Sequence, residues 1–155
     1  MCSALNIREA VIADLPTMLE LYGQLGMDDG QVLPLTDAEK LFLRIGNYPD
    51  YKLYLAELDG RPVGTFALLV MDNLGHMGTP SAILEDVVVA ESCRGTGIGQ
   101  QMMAFATDLC RQKGCYKFFF SSNINRTDAH RFYENLGFEK HGYSFYIDLQ
   151  QEEAI

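Results

Sequence analysis

The sequence predicts an α+β chain built on one central mixed, mostly antiparallel sheet, and three observations predict it. Strand-like runs follow one another from 51 to 90, separated by turn residues, as in an antiparallel meander. Beyond 90 the pattern becomes helix, strand, helix and a closing strand or two, which mixes the sheet. The 155 residues, 48% hydrophobic and 21% charged, match one globular domain able to bury roughly two thirds of its unfolded surface. The expectation is a single domain over 1–155 with about six or seven strands flanked by about four helices.

"LNIREA" reads as the first strand. Leu15, Met18, Leu19, Leu21, Tyr22 and Leu25 then recur at helical spacing, predicting a helix over 13–25 that starts at Asp14 ahead of Pro16. After the polar loop "GMDDGQVLP", Thr36 is expected to cap a second helix running through Leu43. "YKLYLAEL" and "VGTFALLVM" flank Asp59-Gly60, the pattern of a hairpin, and "SAILEDVVVA" completes the meander. A helix over 97–113, the strand "YKFFFSS", a helix over about 128–136 and a last strand or two in "FEKHGYSFYIDL" follow.

Composition excludes several classes. A net charge of -9 disfavours a nucleic-acid surface, whose affinity comes from clustered Lys and Arg. No apolar run approaches a membrane span, and "MCSALNIREA" lacks the regions of a secretory signal, so a cytoplasmic location is expected. Cys2, Cys93, Cys110 and Cys115 form no C-x-x-C pair and are expected to be reduced. His76, His130 and His141 lack metal-site spacing, so no metal is expected.

"SCRGTGIGQQMM" is the most informative stretch. Gly95, Gly97 and Gly99 lie between an apolar strand and a helix, delivering backbone N–H groups to a helix N-terminus that favours anions. Arg94 adds a fixed charge with a fork of donors. Gln100 stands where a dinucleotide fingerprint or a P-loop would need other residues, so both common nucleotide motifs fail on spacing.

"RGTGIG" is similar to the R/Q-x-x-G-x-G/A signature of the Gcn5-related N-acetyltransferases, and "NRTDAHRFYENLGF" resembles that family's second motif. The likeness extends over most of the chain. It implies the family's fold, with the sheet splayed between strands four and five, and acetyl-coenzyme A as co-substrate. By that resemblance Arg94, Gly95, Thr96, Gly97, Ile98 and Gly99 would hold the pyrophosphate. The strand backbone at Val87, Val88 and Val89 would pair with the pantetheine arm, with Asn125 bonding to it as well.

"AILEDVVV" places Glu85 and Asp86 inside an apolar strand. Strand alternation sends them to opposite faces, so one should point toward the cleft. A buried carboxylate takes a raised pKa, which suits a base that removes a proton from an ammonium; a solvated strand edge is the plainer reading. Backbone N–H groups of the same strand are suited to stabilise the oxyanion.

Tyr133 resembles the family's proton donor to the leaving thiolate, although Ala129, Phe132, Tyr133 and Leu136 also make one helical face, with Phe132 read as core. The Glu-Asp pair and "GCYK" resemble glucosamine-phosphate N-acetyltransferases. "SSNINRTDAHRFYENLGF" with "HGYSF" resembles aminoalkylphosphonate N-acetyltransferases, whose acidic base aligns with Asp86.

The implied activity is direct acetyl transfer to a small primary amine in a ternary complex. A covalent route through Cys93, a protein or peptide acceptor, and a non-catalytic acyl-coenzyme A sensor are the alternatives. The segments 26–35 and 71–80 are expected to face the acceptor and carry no recognisable phosphonate anchor. "YSFYIDL" is apolar enough to allow a homodimer.

Overall fold

The first strand, β1 (Leu5–Glu9), pairs antiparallel with β2 (Tyr51–Leu58), and β2 pairs likewise with β3 (Arg61–Met71). Asp59 and Gly60 both take positive φ (51° and 74°) at the hairpin tip, the geometry that matches strand twist. β4 (Ser81–Val89) adds to β3 antiparallel, and β5 (Lys117–Phe119) adds to β4 parallel, giving the order β1-β2-β3-β4-β5. These belong to the first of two compact units, residues 1–120 and 121–155, in a computed structural model that describes residues 4–150. Cys2 lies outside the described residues; Cys93, Cys110 and Cys115 are free thiols.

The meander arises because β2, β3 and β4 each bury side chains on both sheet faces. Register places Leu55 opposite Thr65, and Thr65 opposite Val88, on the face covered by α1 (Leu15–Gly23) and α2 (Leu35–Ile45). On that face Leu15, Met18 and Leu21 of α1 pack with Leu55, Val88 and Ala38. Each large apolar side chain buried this way contributes roughly 1.5–3 kcal/mol.

The opposite face carries Tyr54 stacked on Phe66 (centroids 5.0 Å apart), with Phe105 of α3 (Ile98–Gln112) edge-on to both. The α3 stripe that is fully buried is Ile98, Met102, Met103, Ala106 and Cys110, so the smaller residues face the sheet and Phe105 sits at the margin. Gly64 allows the close approach: a Cβ there would lie 2.7 Å from Met102 Sδ and 2.9 Å from the Val88 carbonyl.

Helix starts differ from expectation in one case. Asp14 does precede α1 and Pro16 lies in its first turn, but the Asp14 carboxylate is taken by Arg8 (2.7 and 2.9 Å) and by the Val11 N–H (2.7 Å). Thr36 does not cap α2, because that helix already begins at Leu35 with Pro34 at the cap.

Two features of β4 matter for function. Its pairing with β5 stops at Ile83 opposite Phe119, so the strand runs on to Val89 without β5 beside it, the expected splay. On the β3 side, Thr65 pairs with Val88 and Ala67 with Glu85, so Phe66 faces both Asp86 and Val87, a β-bulge.

The second unit contains α4 (Thr127–Asn135), which ends with Gly137 at φ 91° and the Phe138 N–H donating to the Tyr133 carbonyl. The expected final strand or two are not formed among the described residues, which hold five strands rather than six or seven. A strand needs a partner edge, and this unit contains no other strand among its described residues. Tyr143, Phe145, Tyr146, Ile147 and Leu149 are all largely exposed. Phe132, read from the sequence as core, is 37% exposed.

Candidate functional site

The loop into α3 is shaped by backbone demands. A 3-10 turn at Glu91–Cys93 leads to Arg94, then Gly95 (φ 76°), Thr96 and Gly97 (φ 85°), the residue that caps α3. Positive φ at these positions favours glycine, and a Cβ at Gly95 or Gly97 would meet no other protein atom within 4 Å. The first intrahelical bond runs from the Gln101 N–H to the Gly97 carbonyl, so the N–H groups of Ile98, Gly99 and Gln100 lead the helix with no side-chain cap. Small size, open space and aligned donors fit a diphosphate.

Side chains brace the loop. Arg94 donates from Nε to the Val89 carbonyl (3.2 Å) and from Nη2 to the Gln24 carbonyl at the end of α1 (3.1 Å). The Gln24 side chain in turn accepts from the Glu91 N–H (2.9 Å), and the Thr96 hydroxyl donates to the Cys93 carbonyl. Arg94 is thus a brace as well as a charge, with further guanidinium donors beyond those two bonds. Val88 is core by its side chain, 2% exposed, whereas Val87 and Val89 are half-buried.

The bulge sets the two carboxylates. Asp86 has φ 52°, a left-handed conformation that costs a non-glycine residue about 1 kcal/mol and that Asp tolerates better than most. Strict alternation would have separated Glu85 from Asp86. Instead, register places Glu85 with Ala67 and Leu53 on the α1/α2 face, and Asp86 lines a cavity on that same face. The extra residue of the bulge is the reason.

That cavity has a volume of about 320 Å³ and lies among α1, α2, the loop before α2, and strands β2 and β4. Leu19, Phe42, Leu53, Tyr22 and Tyr51 contribute to its walls. By surface area both Glu85 and Asp86 keep contact with solvent, yet enough protein surrounds them to push their carboxyls above the usual range. Desolvation is the cause for Asp86; for Glu85 the Asp86 charge adds to desolvation.

The neighbouring phenols respond in kind. Tyr22 is pushed up to about 12, first by burial and then by the Asp86 charge, with the Thr65 hydroxyl partly offsetting both. Tyr51 is raised by burial and by both carboxylates. A second cavity, about 340 Å³ beside the hairpin tip, includes Asp59, Arg61 and Cys93 but neither Glu85 nor Asp86. The Cys93 sulfur meets the Ser92 hydroxyl at 3.6 Å.

In the second unit Asn125 is exposed in the turn before α4, its N–H donating to the Asn123 side chain (2.9 Å). Tyr133 lies on α4 between the rings of Phe132 and Phe138, and burial pushes its phenol up. Glu85, Asp86, the β4 edge and the glycine loop therefore share the first unit, and Asn125 and Tyr133 share the second.

Tyr22 and Tyr51 were not legible as site residues. Tyr22 sits on a helical apolar stripe, where an aromatic reads as core, and Tyr51 opens a strand. Of the two segments expected to face the acceptor, 26–35 lines the cavity through Met27, Asp28, Gln31, Val32 and Leu33, and 71–80 does not. Among the described residues no group of three or more His, Cys, Asp or Glu is placed to hold a metal ion, and no helix is long and apolar enough to cross a membrane.

Comparison with known proteins gives a consistent picture. The acetyltransferase (GNAT) family matches residues 16–138. A glucosamine 6-phosphate N-acetyltransferase of Trypanosoma brucei brucei is 31% identical over 153 residues, covering 94% of this chain and 96% of that protein. An aminoalkylphosphonate N-acetyltransferase of Salmonella typhimurium is 35% identical over 97 residues, 63% of this chain and 62% of that protein. A solved structure of a protein assigned as an acetyltransferase, from Agrobacterium tumefaciens str. C58, superposes with a TM-score of 0.86 at 32% identity, covering 92% of this chain and 99% of that one.

Proposed function

The chain belongs to the acetyltransferase (GNAT) family, and from that premise we propose that it acetylates the primary amine of a small molecule by direct transfer from acetyl-coenzyme A within a ternary complex. One observation carries the reading: a single strand, β4, holds a bulged carboxylate at a cavity and then leads into a glycine-rich helix N-terminus that has no side-chain cap.

Acetyl-coenzyme A supplies an acyl thioester, whose C–S bond is exchanged for the C–N bond of the amide. Arg94, Gly95, Thr96, Gly97, Ile98 and Gly99 hold the pyrophosphate through backbone N–H groups and the guanidinium. The free β4 edge at Val87, Val88 and Val89 binds the pantetheine arm as a strand would, and Asn125 adds a side-chain bond. Asp86 takes the proton that the ammonium must lose, and its raised pKa makes it a better acceptor than an ordinary surface carboxylate. Glu85, on the same face, is the alternative base. Tyr133, whose raised phenol stays protonated at neutral pH, gives its proton to the departing sulfur.

The test is release of free thiol from acetyl-coenzyme A with a panel of amines, for the native protein and for Asp86→Asn and Glu85→Gln. Turnover that falls in Asp86→Asn supports the assignment. Tight acetyl-coenzyme A binding with no turnover on any amine would sink the transfer reading and leave an acyl-coenzyme A sensor.

A further inference from the structure

We infer that the acceptor is a primary amine carried on an apolar, aromatic or alkyl body that bears no phosphate, phosphonate or carboxylate. This rests on the reading of the Asp86 cavity as the acceptor site. Among the described residues, the charged side chains lining that cavity are Asp86 and Asp28, both acidic, and no lysine, arginine or histidine lines it. Apart from the neutral amide of Gln31, the remaining walls are apolar or aromatic, with Leu19, Phe42, Tyr22 and Tyr51 among them.

Each feature selects for a cation on a greasy frame. An ammonium gains a carboxylate partner in Asp86 and aromatic faces that attract cations through the ring quadrupole. Apolar walls stabilise a hydrocarbon body in proportion to the area it removes from water. An anionic substituent on the same small molecule would lose its hydration, meet no counter-charge on the walls and be repelled by Asp28 and Asp86. The relatives from Trypanosoma and Salmonella are named for a phosphate-bearing and a phosphonate-bearing amine. Among the described residues, the walls of this cavity offer no cation for such a group.

The deciding experiment compares 2-phenylethylamine with 2-aminoethylphosphonate and glucosamine 6-phosphate, by calorimetric binding to the whole protein saturated with coenzyme A. We expect 2-phenylethylamine to bind at least about tenfold more tightly than either anionic amine, about 1.4 kcal/mol. Asp86→Asn, checked for retained coenzyme A binding, should weaken 2-phenylethylamine and leave the preference against phosphonate smaller. Equal or tighter binding of either anionic amine, or no binding of 2-phenylethylamine, overturns the inference. Thiol release with acetyl-coenzyme A separates the two levels. If only anionic amines are acetylated, the transfer reading stands and the acceptor class falls. If 2-phenylethylamine binds through Asp86 but no amine is acetylated, the acceptor class stands and the transfer reading falls.

Discussion

The glycine loop and the Asp86 cavity belong to the same unit and flank the same strand, yet they are specified in opposite ways. The loop is local: its conformation needs positive φ at Gly95 and Gly97, and its chemistry is backbone N–H, so a few consecutive residues carry it. The cavity is assembled from α1, α2, β2 and β4, residues far apart in sequence, and its two left-handed lining positions, Asp28 and Asp86, are not glycines. On the proposed reading, donor binding is set by backbone shape, and acceptor choice by side chains brought together only on folding.

Separating the two regions by mutation should give effects of descending size. Asp86→Asn should lower kcat by about 10²- to 10⁴-fold while leaving the affinity for acetyl-coenzyme A nearly unchanged; steady-state kinetics with both substrates varied measures the split. Gly97→Val forces a β-branched residue into φ 85°, a strain of about 1–3 kcal/mol. It should weaken acetyl-coenzyme A binding about tenfold or more with amine binding intact, as calorimetry would show. Tyr22→Phe removes a hydroxyl that responds to both Thr65 and Asp86 and should reduce kcat/KM for the amine less than about tenfold, with acetyl-coenzyme A affinity unchanged. An effect of Tyr22→Phe on the coenzyme alone would break the division.

The smallest expected effect concerns stability. Both carboxyls are raised in the folded protein, so their contribution is fully present below the unfolded-state pKa and is lost as pH rises through the folded one. At neutral pH Asp86→Asn should thus be slightly more stable than the native chain. The gain should vanish in acid, where both side chains are neutral; thermal melts at the two pH values measure it.

What was legible follows the same division. β2 is read from its apolar pattern with the observed bounds, and Asp59-Gly60 announces the hairpin, because alternation and turn chemistry are local signals. The bulge leaves no such trace: nothing in "AILEDVVV" marks an extra residue, so alternation wrongly separated Glu85 from Asp86. Thr36 looked like a cap because its residue type is a good one, but Pro34 and Leu35 already commit the chain to helix. "YSFYIDL" has strand composition without a strand edge in its own unit, and composition cannot supply one. The cavity walls escaped for the same reason: Tyr22 on a helical stripe reads as core until the fold places it and Asp86 around one cavity.

The most direct measurement is the pH dependence of thiol release from acetyl-coenzyme A with a good amine, for the native protein and for Asp86→Asn. The native rate should rise through a pKa above the usual carboxylate range, and Asp86→Asn should lose both that limb and at least about a hundredfold in rate. An unchanged rate and an unchanged limb in Asp86→Asn would contradict the assignment of Asp86 as the base.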